Sequence, residues 1–241
     1  GLVLDPYFSA SKVAWLMQNR PDIRDAINSG KAVIGTIECW LTHKLTSGKN
    51  HVTESSNASR TMFYNINTNK WDDDLVRLFG LQSTACLPEI KSSAGLFGHT
   101  KGTSFLPDGI PISGILGDQQ AALAGQACFE LGEAKCTYGT GAFLLVNSGS
   151  KPPTPGNGLL TTVAWNIDGS LTYALEGSAF IAGAAVQFIR DQFNFLETSS
   201  ESEKLAAKGN AAPDLYFVPA LAGLSAPWWN PLARGAFLGM H

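Results

Sequence analysis

Apolar and polar residues alternate along this chain with two different periods. Between residues 9 and 19, Val13 and Met17 lie about one helical turn apart on a shared face, which predicts an amphipathic helix. Ser9 stands where an N-cap side chain could accept a backbone hydrogen bond. Further helices are predicted over 37–46, from the acidic run Asp72–Asp74 onward, over 118–128 and over 179–192.

Runs typical of β-strands are concentrated in the second half of the chain. The turn sequence Gly139-Thr140-Gly141 separates two of them and predicts a hairpin. An earlier apolar run, Ile110–Leu116, predicts a buried strand that follows a glycine- and proline-containing loop at 101–111. The remaining strands are predicted at 133–139, 142–147, 159–164 and 171–177.

Helices mixed with strands in this order predict an α/β fold built in layers. The pattern of the chain changes after the loop at 101–111 to mixed strands and helices, and we place a domain junction near residue 127. The predicted domains are residues 1–126 and residues 127–241.

Composition narrows the class of protein. Of the 241 residues, 44% are hydrophobic and 15% are charged, and the net charge is −3, which predicts a globular protein with no basic field for nucleic acid. No apolar stretch approaches the ~20 residues of a transmembrane helix. The four cysteines lack metal-site spacing, so free thiols in a reducing, cytoplasmic compartment are expected. A homo-oligomer is compatible with this sequence.

The stretch ISGILGDQQAALAGQ brings an acidic residue, Asp118, to the start of an alanine-rich helix. A strand before it would present Asp118 at the edge of a sheet where α/β folds bind ligands, and Gln119 would add a neutral hydrogen-bonding group beside it. Asp is also a leading helix N-cap residue. These residues alone favour the cap, and the catalytic role stays open.

The hairpin TYGTGAF has two readings as well. Gly139 and Thr140 would expose backbone N–H groups and one hydroxyl with little side-chain bulk, as phosphate oxygens require. Glycine turns are also common in ordinary hairpins.

Two later segments carry weaker signals. Gly183 inside a predicted helix costs about 1 kcal/mol relative to alanine, which indicates a close approach or tight helix packing. Gln187 lies one turn further along the same face. Near the C-terminus, Trp228 and Trp229 could stack on a ligand, although burial in the core is favoured.

Seven blocks, in this order, resemble the FGGY family of carbohydrate kinases, and among its members those that phosphorylate glycerol. They are DPYFSASK, NASRTMFYNI, PISGILGDQQAAL, TYGTGAFLLVN, NGLLTT, YALEGSAFIAGAAVQFIRD and PALAGLSAPWW. The resemblance implies a ribonuclease H-like, actin-like ATPase fold with two domains, of which this chain would be an incomplete, internal portion. It also implies ATP-dependent phosphorylation of glycerol to sn-glycerol 3-phosphate.

The resemblance assigns roles to residues at matching positions. Asp118 would be the general base and could also touch the magnesium of Mg-ATP. The polyol would be bound by Tyr7, Asp118, Gln119 and Phe143. The nucleotide would be bound by Gly139, Thr140, Gly183 and Gln187.

Parts of the family pattern are missing from this sequence. We find no N-terminal DxGTT-type phosphate loop, no Arg-Glu pair that grips the polyol and no C-terminal glycine-rich adenosine segment. We therefore expect the isolated chain to be inactive, and a non-catalytic nucleotide-binding fragment is one alternative. A kinase for another polyol or a ketose is the other.

Overall fold

A computed structural model describes residues 2–154, 156–209 and 214–240. Its helices are numbered in chain order. They are α1 (Ser9–Asn19), α2 (Pro21–Asn28), α3 (Ile37–Leu45), α4 (Ser55–Ala58), α5 (Asp73–Leu78), α6 (Asp118–Gly125), α7 (Gly183–Phe193) and α8 (Glu201–Lys208), with a short 3-10 turn at Thr84–Cys86.

The strands form one larger sheet and several two-stranded pairs. They are β1 (Val52–Glu54), β2 (Tyr64–Asn65), β3 (Lys70–Trp71), β4 (Glu89–Lys91), β5 (Ala94–His99), β6 (Pro111–Gly114), β7 (Ala134–Tyr138), β8 (Ala142–Gly149), β9 (Leu160–Ile167), β10 (Ser170–Ala179), β11 (Tyr216–Val218) and β12 (Ala236–Leu238). The pairs are β1 with β4, which is parallel, and β2 with β3, β5 with β6 and β11 with β12, which are antiparallel.

The larger sheet has four antiparallel strands in the order β7-β8-β10-β9. All but the last residue of β9 are buried, because β9 contacts two apolar clusters. One cluster joins the sheet to α6 through Leu123, Leu145 and Trp165. The other joins it to α4 and β2 through Ala58 and Val163. Both α4 and α6 therefore pack against this sheet, and Thr162 of β9 bonds to Ser59 next to α4 and to Gln120 of α6.

A third apolar cluster lies under α1. Val13 and Met17 on the inner face of α1 pack with Phe63, Val76 and Leu87, so the predicted helical period buries the residues it should. The helix has the predicted bounds, Ser9–Asn19. Ser9 does not cap it, however: Phe8 is the N-cap residue and makes no side-chain cap bond, while the N–H of Ala10 donates to the carbonyl of Thr61 at 2.9 Å.

The predicted strand at 110–116 is the clearest correction. Only Pro111–Gly114 is β-strand, and its residues are mostly exposed where burial was expected. The strand pairs only with β5 among the described residues, and a register shift interrupts that pairing. With β5 as its one partner strand in the described part of the chain, β6 stays mostly exposed and its apolar residues do not form a buried centre. Asp118 is therefore reached through three further residues and does not follow directly from the strand.

The helix predicted from residue 179 begins at Gly183 instead. Residues up to Ala179 belong to β10, and the N–H of Ala182 bonds to the carbonyl of Thr140 at 2.8 Å. This contact between distant segments overrides the local helical pattern. Gly183 is the first residue of α7 and is not interior, so the helix-propensity argument for it was wrong.

The predicted helices at 37–46 and 118–128 and the predicted hairpin strands occur within a few residues of their expected ends. Asp72 caps α5 by accepting hydrogen bonds from the N–H groups of Asp74 and Leu75. In the described part of the chain, none of the helices has the length and apolar character that crossing a membrane requires.

Candidate active site

Asp118 is the first residue of α6 and is exposed. Gly117 takes the N-cap position, so Asp118 is not the cap that the local sequence favoured. The Asp118 Oδ1 accepts only the N–H of the next residue, Gln119, at 2.7 Å. Oδ2 makes no hydrogen bond among the residues that the structure describes. A carboxylate at the first turn of a helix is stabilised by the helix dipole, and this one keeps an oxygen free.

The backbone just before Asp118 is anchored from α4. The N–H of Gly117 donates to Ser56 Oγ at 2.9 Å, and the Ser56 hydroxyl donates to the buried carboxylate of Glu54. A Cβ atom at Gly117 would come within 2.6 Å of Gln120 Oε1, so this position suits glycine. The start of α6 is therefore fixed by a buried polar chain, which makes the position of Asp118 well defined.

Gln119 does not face solvent freely. Its Oε1 accepts a hydrogen bond from the Nζ of Lys135, which is almost fully buried on β7. The same Nζ donates to the backbone carbonyl of Phe143 at 3.3 Å. Two of the predicted polyol residues, Gln119 and Phe143, are thus brought together by a lysine that sequence reasoning did not single out.

Tyr7 lies in the turn before α1, with its ring edge-on to Phe8 at 5.1 Å and tilted against Phe180 at 6.1 Å. The guanidinium of Arg60 stands 5.5 Å from the centre of the Tyr7 ring. Burial raises the pKa of the Tyr7 phenol, and the carboxylate of Glu176 raises this pKa further. The hydroxyl therefore stays protonated at neutral pH and can donate a hydrogen bond.

Arg60 and Glu176 form an ion pair inside the protein. Arg60 Nη1 lies 2.7 Å from Glu176 Oε2, and Arg60 Nη2 donates to Oε1 at 2.9 Å. The side chains are 20% and 1% exposed, which makes this pair much less solvated than the exposed pairs on the surface. It joins the end of α4 to β10, across the predicted domain junction, directly beneath Tyr7.

Three of the four predicted nucleotide residues, Gly139, Thr140 and Gly183, come together through backbone atoms. The N–H of Gly183 donates to the carbonyl of Gly139 at 2.9 Å, and the N–H of Ala184 donates to that of Thr140 at 3.2 Å. A Cβ atom at Gly183 would lie 2.6 Å from the Gly139 oxygen. The close approach inferred for Gly183 is therefore present, and its partner is the hairpin turn.

Phe180 connects the two groups of residues. Its ring contacts Tyr7, and its carbonyl oxygen would lie 3.0 Å from a Cβ atom at Gly141 in the turn. Gln187 is the predicted site residue that stays apart: it is exposed on α7, and its side chain makes no hydrogen bond within the described ranges.

The two tryptophans differ from each other. Trp228 is 68% exposed, so core burial was the wrong expectation for it. The backbone N–H groups of Trp228 and Trp229 both donate to the carbonyl of Ser225, which closes a tight turn. Trp229 packs edge-on against Phe180 at 6.3 Å and donates from Nε1 to the Gly158 carbonyl at 2.6 Å.

Asp118 is compatible with a magnesium ion that takes most of its ligands elsewhere. Mg²⁺ at phosphoryl-transfer sites is usually held by one or two carboxylates together with phosphate and water oxygens. Within the described ranges, no group of three or more Asp, Glu, His or Cys side chains could hold a metal by itself. An ion here would therefore have to arrive with its phosphates.

An apolar groove of about 500 Å³ lies away from these residues, against α1, α2 and residues 32–37. None of the predicted site residues lines it. Among the residues that line the groove, Lys12 is the one titratable group suited to catalysis. We therefore place the candidate active site around Asp118 and not in the groove.

Sequence reasoning missed Lys135, Arg60 and Glu176. The sequence carries no signal for Lys135: alternation along β7 groups it with Thr137 on the polar face, yet the fold turns that face inward and leaves Ala134, Cys136 and Tyr138 exposed. A lysine on the inward face of a strand needs partners.

Comparison with known families decides the relationship. The model of the FGGY family of carbohydrate kinases, N-terminal domain, matches residues 1–125, and the model of the C-terminal domain matches residues 134–241. The chain belongs to the FGGY family of carbohydrate kinases. The resemblance seen in the sequence blocks is confirmed.

Among curated FGGY relatives, the glycerol kinase of Myxococcus xanthus is 53% identical over 242 residues, which cover 100% of this chain and 49% of that protein. The glycerol kinase of Enterococcus casseliflavus is 49% identical, with 100% of this chain and 47% of that protein covered. The chain thus spans about half the length of the curated relatives it matches.

Among solved structures, Plasmodium falciparum glycerol kinase with ADP superposes with a TM-score of 0.87 at 43% identity, covering 100% of this chain and 48% of that one. Gluconate kinase from Lactobacillus acidophilus has a TM-score of 0.82 at 21% identity, with 100% and 48% covered, and shows the fold alone. The predicted ribonuclease H-like, actin-like ATPase fold is confirmed.

Proposed function

We propose that the complete protein containing this chain transfers the γ-phosphoryl group of ATP to glycerol, giving sn-glycerol 3-phosphate. The observation that carries the proposal is Asp118, an exposed carboxylate with a free oxygen, adjacent to Gln119 and close enough to Tyr7 for its charge to act on the phenol. Identity of about 50% to proteins named glycerol kinase supports the choice of acceptor.

Asp118 would act as the general base. An alcohol with its proton attached is a weak nucleophile, and a carboxylate at hydrogen-bond distance accepts that proton as the phosphoryl group arrives. Tyr7, whose hydroxyl stays protonated, would donate a hydrogen bond to a second hydroxyl of the polyol. The amide of Gln119 would hold another hydroxyl, and the ring of Phe143 would pack against the carbon chain.

The nucleotide would lie on the opposite side, against the hairpin turn. Gly139 and Thr140 would contribute N–H groups and a hydroxyl to the phosphates, while Gly183 and Gln187 would border the nucleotide on α7. Mg²⁺ bound to the phosphates supplies charge neutralisation for the transfer. Closure of the two domains would exclude water, the competing acceptor.

The acceptor is tested by comparing turnover of glycerol, erythritol and xylulose by the complete protein. We expect kcat/KM for glycerol to exceed that for the other two. A clear preference for xylulose would replace the proposal with the alternative of a ketose kinase. The isolated 241-residue chain is expected not to phosphorylate glycerol, since it spans half of its relatives. Measurable turnover by this chain alone would contradict that expectation.

We also propose a cytoplasmic location. The thiols of Cys39, Cys86 and Cys128 are buried and free, and Cys136 is exposed and free. Burial raises the pKa of Cys39 to about 11, so this thiol stays protonated and unreactive at neutral pH. Such cysteine usage suits a reducing compartment.

A further inference from the structure

Lys135 is a buried amine inside the candidate active site. It is 5% exposed, and lysine is among the residues most rarely found in a protein interior without partners. Its Nζ donates to the Gln119 side chain, to Thr137 Oγ1 at 2.9 Å and to the Phe143 carbonyl at 3.3 Å. Each of these acceptors belongs to an element that forms the site.

These three contacts tie separate parts of the chain together. Gln119 is on the first turn of α6, directly after Asp118. Thr137 is on β7, and Phe143 is at the start of β8 just beyond the hairpin turn. The lysine therefore joins the helix that carries the candidate base to the hairpin that carries the candidate phosphate turn.

The charges around Lys135 explain how an amine can be tolerated there. Burial lowers the pKa of Lys135, whereas the nearby carboxylates of Glu176 and Asp118 raise it. Arg60 faces the same Glu176. Two basic and two acidic side chains thus compensate one another in this part of the candidate site.

Lys135 has no donor left for a substrate. A protonated lysine has three N–H groups and no acceptor, and three protein acceptors already occupy it. A lysine that bound a transferring phosphate would need at least one free donor. Lys135 therefore affects the reaction indirectly, by holding the Gln119 side chain.

We propose that Lys135 is a positioning residue: it fixes the Gln119 side chain and the first turn of α6 against the β7–β8 hairpin, so that Asp118 faces the acceptor hydroxyl. This inference rests on the proposed function for its consequence in catalysis. The mechanical part, the anchoring of α6 by Lys135, does not depend on which polyol is phosphorylated.

The first test is kinetic. In the complete protein, Lys135→Met keeps most of the side-chain length and removes the donors. We expect kcat to fall about 100-fold, as a displacement near 1 Å produces, with ATP affinity changed by less than about twofold. Lys204→Met, at an exposed lysine on α8, is the matched control and should leave kcat unchanged. A wild-type kcat in Lys135→Met would overturn the proposal.

A double-mutant cycle separates positioning from a general loss of stability. If Lys135 acts through Gln119, then Lys135→Met combined with Gln119→Leu should lose little more activity than Gln119→Leu alone. If the loss of activity in the double variant equals the product of the two single losses, Lys135 acts independently of Gln119, and the proposal fails. The cycle is measured with whichever polyol the wild type phosphorylates best, so a wrong acceptor leaves it interpretable.

The anchoring is also measured without substrate. Amide hydrogen exchange in residues 117–123 should become faster in Lys135→Met, while exchange in α1 stays the same. Unchanged exchange in 117–123 would contradict the proposal, whatever the activity of the wild type.

A change at Thr137 tests the same contact if Lys135→Met fails to fold. Thr137→Val removes one of the three acceptors of Lys135 at nearly constant shape. We expect it to lower kcat several-fold, whereas Thr137→Ser should not; equal effects would refute the contact.

Discussion

The two sides of the candidate site are formed by different chemical groups: charged side chains on one side and backbone groups on the other. On the proposed acceptor side, the side chains of Arg60, Lys135 and Glu176 lie close enough for their charges to act on one another or on Tyr7. On the proposed nucleotide side, the hairpin turn and the start of α7 are joined by backbone N–H to carbonyl hydrogen bonds. The proposed acceptor side thus depends on charge balance, and the proposed nucleotide side depends on the absence of a Cβ atom at Gly183.

The largest effect is expected at the candidate base. Asp118→Asn in the complete protein should lower kcat by about 100-fold to 10,000-fold, because the amide cannot accept the acceptor proton, while ATP still binds. Steady-state kinetics and calorimetric ATP titration measure the two quantities.

Asp73→Asn is the matched control for this change. Asp73 is also exposed and is also the first residue of its helix, α5. Both variants lose a similar interaction with a helix dipole, about 0.3–1 kcal/mol. Near-normal turnover in Asp118→Asn would mean that Asp118, like Asp73, only interacts with the dipole of its helix and is not the base.

The next effect is on stability. Arg60→Met leaves the carboxylate of Glu176, which is 1% exposed, without its ion-pair partner. Breaking a buried pair in this way costs about 3–5 kcal/mol, measured by urea denaturation. Arg77→Met removes an exposed pair with Asp74 and should cost less than about 1 kcal/mol.

Replacing both Arg60 and Glu176 by methionine sharpens the test. The double variant should be more stable than Arg60→Met, since no uncompensated charge remains. A double variant less stable than either single one would show that the pair stabilises by more than mutual charge compensation.

A smaller effect is expected on the nucleotide side. Gly183→Ala places a methyl group 2.6 Å from the Gly139 oxygen, so the turn or the helix must shift. Overpacking of this kind costs about 1–3 kcal/mol, and we expect it to appear as weaker ATP binding in calorimetry with kcat less affected. Gly125→Ala is the control: apart from its chain neighbours and the backbone of its own helix, no described atom lies within 4 Å of where its Cβ atom would be. Equal ATP affinity in Gly183→Ala and Gly125→Ala would show that Gly183 does not border the nucleotide.

Elements with a strong local pattern could be predicted from the sequence. The apolar spacing in α1 and the glycine turn between β7 and β8 each fix a local conformation, and both occur where expected. The start of α7 could not be predicted, because the bond from Ala182 N–H to the Thr140 carbonyl depends on a turn some forty residues earlier. The exposure of β6 likewise depends on which layers cover it.

For the site, the sequence provided the residues and not the contacts that hold them. Resemblance identified Tyr7, Asp118 and Gln119, but an isolated lysine in a strand is usually a solvated one, so Lys135 attracted no attention. Its burial depends on β7 lying beside α6, which is a property of the folded chain. The same holds for Arg60, whose partner is more than a hundred positions away.

The Arg60–Glu176 pair also constrains how this protein can change over time. Because either side chain alone would leave a stranded charge in the interior, single replacements at positions 60 and 176 pass through an unstable intermediate. Descendant sequences should therefore keep both residues or exchange both together. The two positions should behave as one inherited unit, even though they lie in different halves of the chain.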